Sequence, residues 1–249
     1  MTDKQKPGYV FLTEIGKKRL RPGGIVATNW LFERGKFSKD KKILEVACHQ
    51  GDTVMEIAEK FGSQVIGIDL DSEAIKRANF AINEKNLTNL ASTQVANALD
   101  LPFPDNYFDC IINEAMLTML DEDEKQQALA EYYRVLKSGG KLLTQDVCFK
   151  VKNEQTKNKL RQTVNMPISP LSIGEWRALF AKTAFKHEFQ VGKCSLLSFS
   201  GLLRDEGISG TVRILKNGLK KENRAQLLKM IRFFQRQNNV CYIVNHMEK

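Results

Sequence analysis

The sequence predicts a doubly wound α/β fold, with a mainly parallel sheet of seven strands and helical insertions after strands five and six. Three observations predict it. From residue 42 onward, short β-rich runs alternate with helical patterns, as in a parallel sheet covered by helices. The intervening segments place apolar residues at helical spacing with recognisable start and stop signals. Finally, 249 residues with 42% hydrophobic content suffice for one sizeable core.

The first five strands are expected at Lys42–Cys48, Gln64–Asp69, Thr93–Ala96, Phe108–Asn113 and Lys141–Val147. Val54, Ile57, Ala58 and Phe61 recur at i, i+3, i+4 and i+7, as do Leu129, Tyr132, Tyr133 and Leu136, so each set gives a helix one apolar face. Asp121 and Glu124 make a capping pattern at the start of the second helix, and Lys137-Ser138-Gly139-Gly140 should end it. After Asp146 the rhythm breaks into a lysine-rich stretch closing on Met166-Pro167-Ile168-Ser169-Pro170, read as a crossover insertion over the sheet's edge. Ser172 and Glu175 form a second capping box ahead of Trp176, Leu179 and Phe180, and a sixth strand follows at Phe185–Val191. Residues 201–239 read as a second insertion of two helices before a last strand at Val240–Val244. The expected organisation is a single domain, 1–249: an N-terminal lid (1–41), a cofactor-binding core (42–147) and a C-terminal half with helical caps (148–249).

Five widely spaced cysteines, Cys48, Cys110, Cys148, Cys194 and Cys241, fit neither a disulfide framework nor a metal site, and read as buried apolar groups in a reducing compartment. No apolar run approaches the length of a membrane span, so a cytoplasmic protein without a transmembrane segment is expected. The net charge of +9 raises the odds of an anionic partner without choosing one. Part of the excess is N-terminal (Lys4, Lys6, Lys17, Lys18, Arg19, Arg21). Another part lies in 211–237, where Val212, Leu215, Leu219, Leu227, Met230, Ile231 and Phe234 form apolar faces and Arg213, Lys216, Lys220, Lys229, Arg232 and Arg236 form basic stripes. Such helices could cap an apolar substrate, touch an anionic membrane or meet RNA; the plainest expectation is a solvated face over a packed one.

Ligands of such sheets collect at the carboxyl ends of the strands, where strand order reverses. The first strand-to-helix turn runs Glu45-Val46-Ala47-Cys48-His49-Gln50-Gly51-Asp52-Thr53. In a dinucleotide fingerprint the sixth position from Ala47 would be small; here it is Asp52, which would repel a pyrophosphate, and Glu45 adds a second charge. The turn therefore suits a cationic ligand without phosphate, a description that S-adenosylmethionine meets with its sulfonium and ammonium.

This turn resembles motif I of the class I S-adenosylmethionine-dependent methyltransferases, with Ala47, His49 and Gly51 at its three glycine positions, and it is similar to that of the ubiquinone and menaquinone biosynthesis methyltransferases. If His49 stands where a positive φ is needed, histidine tolerates it better than most residues. Val65-Ile66-Gly67-Ile68-Asp69 ends in an acid 22 positions after Ala47, near the spacing at which a carboxylate meets ribose hydroxyls. The resemblance implies that Asp69 holds the ribose, Leu70 packs on the adenine, Asn97 beside Ala98 accepts from the adenine amino group, and Asn113 orients the ammonium through its backbone. Glu45, Ala47, Cys48, His49 and Gly51 would complete the cofactor cradle, and Arg21 of Arg21-Pro22-Gly23-Gly24 would approach the methionine carboxylate. A Rossmann-like fold and methyltransferase activity follow from the same resemblance, which covers residues 21–147 in detail.

Methyl transfer is an in-line displacement on an activated carbon, so positioning outweighs acid–base work. Where a base helps, His49 and Glu114 are the catalytic candidates, with His187 a third. A small, lipophilic metabolite is the expected acceptor. An RNA or protein methyltransferase is supported by charge alone, so nucleic acid is not favoured; a cofactor-binding regulator without catalysis is the remaining alternative, suggested by His49 and Asn97.

Overall fold

The structure, a computed structural model, describes residues 5–249, so Lys4 lies outside the described residues. Two helices, α1 (Gly8–Glu14) and α2 (Gly24–Gly35), precede the sheet. The core then runs β1 (Lys42–Val46), α3 (Asp52–Phe61), β2 (Gln64–Asp69), α4 (Ser72–Glu84), β3 (Ala91–Val95), β4 (Phe108–Glu114), α5 (Glu122–Val135) and β5 (Leu136–Phe149). The C-terminal half adds α6 (Glu154–Val164), β6 (Leu171–Ser172), α7 (Ile173–Ala181), β7 (Lys186–Lys193), α8 (Phe199–Gly218), α9 (Lys221–Arg236) and β8 (Val240–Glu248).

The strand order is β3-β2-β1-β4-β5-β8-β7, with β6 paired on β5. Strands β1 to β5 are parallel, and β8 runs antiparallel between β5 and β7. The chain leaves β1 toward β2 and β3 and returns on the other side at β4, so strand order reverses between β1 and β4. Helices cover both faces, which is why Ile43 and Leu44 are both buried though they point oppositely. Ile43, Val65 and Ile112 pack under α2, α3 and α4, whereas Leu44, Ile111 and Ile243 pack against α5 and α7.

Local signals act where the sequence places them. Asp121 and Ser172 each close a reciprocal capping box, with Glu124 and Glu175. Asp71 caps α4 through the amides of Glu73 and Ala74.

Three expectations need correction. The sheet has an eighth strand, the two-residue β6, because Leu171 and Ser172 pair with Cys148 and Phe149 where β5 outruns its expected end. Helix α5 stops at Val135, before the Ser-Gly-Gly signal, because Leu136 is drawn into register with Phe108 and fully buried; residues 137–140 become an irregularity inside β5, with Gly139 at φ +71°. The third concerns the caps. Helices α1, α8 and α9 share a small core of their own, with Phe11, Ile15, Ile214, Leu227 and Met230. On α9 the expected apolar face is inside, but α8 buries Gly210, Thr211, Ile214 and Gly218 while Val212 and Leu219 face out. The inward face is built of small residues because the helices approach closely: a Cβ at Gly218 would lie 2.5 Å from Leu227 Cδ2.

Candidate functional site

The loop leaving β1 is a tight turn with three left-handed residues, Ala47 (φ +59°), His49 (φ +48°) and Gly51 (φ +75°). Only glycine takes this conformation without cost, so Ala47 and His49 are held there, at roughly 1–2 kcal/mol per residue, by bonds around them. Cys48 N–H donates to Ile68 O at 2.9 Å, Gly51 N–H donates to Cys48 O at 2.8 Å, and His49 N–H donates to Asp69 Oδ2 at 2.9 Å. Asp69 Oδ1 accepts from Asp71 N–H at 2.9 Å, so this one carboxylate ties the ends of β1 and β2 together. Gly51 also faces Ala78 Cβ, 3.2 Å from where its own Cβ would stand.

Below the loop, Glu45 is fully buried at the end of β1, and its Oε2 has no hydrogen-bond partner. Burial pushes its pKa up to about 8, against the pull of the Arg21 guanidinium and with the push of the Glu114 carboxylate. Arg21 lies between the acids: it pairs with Glu114 Oε1 at 3.1 Å and donates to Thr28 Oγ1 at 2.8 Å and to Thr53 Oγ1. Glu114 Oε2 accepts from Thr28 Oγ1 at 2.9 Å and from Gln145 Nε2 at 2.7 Å. The segment before α2 is thus anchored to the ends of β4 and β5, and Gly23 N–H reaches Gln145 Oε1 at 2.8 Å.

These groups line a cavity of about 790 Å³ over the ends of β1, β2 and β4, within the ~300–1,000 Å³ range of small-molecule sites. The structure brings Arg21, Glu45, Ala47, Cys48, His49, Asp69, Leu70, Asn97, Ala98 and Glu114 to its wall. Leu70 is 70% exposed there, an apolar side chain left bare where a ring can cover it. Gly51 and Asn113 are not on the wall; Asn113 is fully buried and donates from Nδ2 to the Tyr132 hydroxyl at 2.6 Å. The Asn97 Oδ1 is engaged, accepting from Leu99 N–H at 3.0 Å, which leaves its amide nitrogen and a second lone pair. His187 is away from the cavity on β7, bonded to Asn245 at 2.9 Å and packed against Phe180 and Phe189, which corrects its nomination as a base.

The opposite wall escaped the sequence reading. Tyr9 sits edge-on to His49 with ring centroids 6.5 Å apart, and Met116, Met119, Leu120 and Met166 supply an apolar stretch. Asp205, Glu206 and Arg213 enter from α8. Glu206 is a clamp: it accepts from Lys17 Nζ at 3.2 Å, Lys18 N–H at 3.2 Å and Arg19 N–H at 3.0 Å, fixing the N-terminal segment to the cap. The available sequence signal was Asp205-Glu206, the only acids in 199–221 of an otherwise basic stretch.

Eight acids and four Lys or Arg line the cavity of a chain whose net charge is +9. This inversion, together with the orphaned Glu45 oxygen, fits a cofactor carrying two positive centres and no phosphate.

The family described as a methyltransferase domain matches residues 43–140. An uncharacterized protein of Haemophilus influenzae is 44% identical over 233 residues, covering 93% of each chain. The ubiquinone/menaquinone biosynthesis C-methyltransferase UbiE of Yersinia pestis is 36% identical over 107 residues, covering 42% of each chain, so this chain spans less than half of that enzyme in the match. Among solved structures, the MccD protein superposes with a TM-score of 0.75 at 20% identity, over 93% of this chain and all of that one.

Proposed function

Because the chain belongs to the class I S-adenosylmethionine-dependent methyltransferases, we propose that it transfers the methyl group of that cofactor to a small, lipophilic metabolite in the cytoplasm. The observation carrying this reading is the acid-rich cavity over β1, β2 and β4, whose far wall turns apolar at Met116, Met119, Leu120 and Met166. All five cysteines are free and buried, in keeping with a reducing compartment. No helix among the described residues is long and apolar enough to cross a membrane.

The cofactor supplies an activated methyl on a sulfonium; the residues of the chain bind, orient and exclude water. In our reading Asp69 accepts from the ribose hydroxyls, Leu70 and Ala98 flank the adenine, and Asn97 contacts its edge. Glu45 receives the ammonium, and Arg21, already held by Glu114, offers its guanidinium to the carboxylate. Ala47, Cys48 and the His49 backbone shape the cradle; Gly51 and Asn113 support it from beneath, Gly51 through its turn and Asn113 through its bond to Tyr132. Of the two base candidates on the wall, Glu114 is engaged by Arg21, Thr28 and Gln145, whereas His49 has its ring at the rim beside Tyr9. We therefore assign any proton acceptance from the substrate to His49.

Titration calorimetry with S-adenosylmethionine and S-adenosylhomocysteine tests the binding step, with a nicotinamide dinucleotide as the control. Binding of the first two and not the third is expected; the reverse pattern overturns the reading. Incubation with methyl-labelled cofactor and fractionated cell extract should then place label in the organic-soluble fraction, and label confined to RNA or protein would refute the acceptor class.

A further inference from the structure

Helix α8 is interrupted at Gly207, whose φ of 69° and ψ of −178° are non-helical, so Ile208–Gly218 forms a separate rod. Its solvent side is unusual. Ile208 is 77% exposed, Val212 59% and Leu219 51%, and Leu215 is half-buried. At 3.6 residues per turn these four fall within a sector of about 60°, a continuous apolar ridge that nothing among the described residues covers. The exposed Lys216, Lys220 and Arg213 occupy the next ~100° of the helix on one flank. No acidic residue occurs from Gly207 to Lys220. Past the same flank, Ser209, Gly210 and Arg213 form part of the cavity wall, where the half-exposed Tyr9 and Met119 also stand.

We propose that this ridge and its basic flank seat the protein on an anionic membrane surface, with the cavity mouth beside the lipid. An apolar ridge with cations along its edge is the pattern of helices lying in the bilayer interface. A second copy of the chain packed antiparallel fits poorly: a two-fold contact of that kind through the ridge would bring Arg213, Lys216 and Lys220 of both copies together. Anionic headgroups neutralise those cations while the ridge enters the acyl boundary. The consequence for catalysis rests on the proposed methyl transfer: a lipid-dissolved acceptor passes from the bilayer to the Met116 and Met166 wall without crossing water.

The test is co-sedimentation of the full chain with vesicles of phosphatidylcholine alone or mixed with phosphatidylserine. Binding to the mixed vesicles, weakened by salt and nearly absent with phosphatidylcholine alone, is expected. The double variant I208S/V212S should lose most of it, and K216A and K220A should each weaken partitioning by roughly fivefold, the worth of one basic side chain near an anionic surface. All four positions are exposed and off the cavity wall, so thermal melting and adenosylmethionine calorimetry should match the parent protein and exclude misfolding. The proposal is overturned if the parent protein ignores mixed vesicles, if the variants bind as it does, or if I208S/V212S instead dissolves a dimer. Vesicle binding without cofactor binding would spare the docking surface and refute the enzyme reading; the opposite result would refute docking alone.

Discussion

Glu45 offers a sharp test of the proposed cofactor site, because its burial would make binding of the ammonium there a proton-releasing event. Its pKa is raised to about 8, so at pH 7 roughly nine-tenths of the unliganded protein carries a proton there. An ammonium bound beside it favours the charged form and expels that proton. Binding should therefore release most of a proton near pH 7 and tighten up to about tenfold between pH 6 and pH 7, where an α-amino group stays largely protonated. Removing the proton costs on the order of 1 kcal/mol of affinity at pH 7. The assay is calorimetry in two buffers of different ionisation heat, whose difference counts the protons. Glu45→Gln should bind more weakly with no slope, and His49→Asn should keep the slope. The same shift has a sign for folding. A carboxyl with a raised folded pKa holds its proton more tightly folded than unfolded, so stability without cofactor falls as pH rises from about 4.5 to about 8. Glu45→Gln removes that loss, and at pH 7 should stabilise the unliganded protein by something on the order of 3 kcal/mol. Equal heats in both buffers, or an unchanged slope in Glu45→Gln, would refute the reasoning.

Arg21→Ala should both weaken cofactor binding and lower the melting temperature, because it leaves the Glu114 carboxylate buried without its cation, at about 3–5 kcal/mol. Adding Glu114→Gln should recover part of the stability and none of the affinity; recovery of both would show that Arg21 acts only through Glu114. Asp69→Ala should weaken cofactor binding at least about tenfold, since a hydrogen bond to a charged group is worth about 1.5–3 kcal/mol; unchanged affinity by calorimetry would remove Asp69 from the site. Gly207→Ala forces a side chain into a backbone region essentially reserved for glycine, at about 1–3 kcal/mol, so a melting temperature lower by roughly 2–12 °C is expected. An unaltered melt would mean that the interruption of α8 relaxes.

The elements whose signals are local were legible in the residues. Helix α7 starts where Ser172 and Glu175 say it should, and α5 where Asp121 and Glu124 do, because a capping side chain needs only partners within three residues. The turn of Ala47, His49 and Gly51 was recognisable for the same reason: a strand, a tight turn and a helix leave their pattern in consecutive positions. Its acidic character followed from Glu45 and Asp52, and so did the expectation of a cationic ligand. The end of α5 was misjudged when a local stop signal met a distant strand, and pairing of Leu136 with Phe108 prevailed.

What the chain decided by itself was therefore the order of its elements, the faces of most of them and the chemistry of the first loop. Tertiary structure alone decided what met that loop. Arg21 lies 93 residues from Glu114, and Lys17 lies 189 from Glu206, so no local spacing could pair them. Nor could periodicity say which side of α8 would be buried. A helix with two plausible apolar faces is turned by what it packs against, and here the close approach of Leu227 selected Gly218 and the small residues, leaving Ile208, Val212 and Leu219 outside.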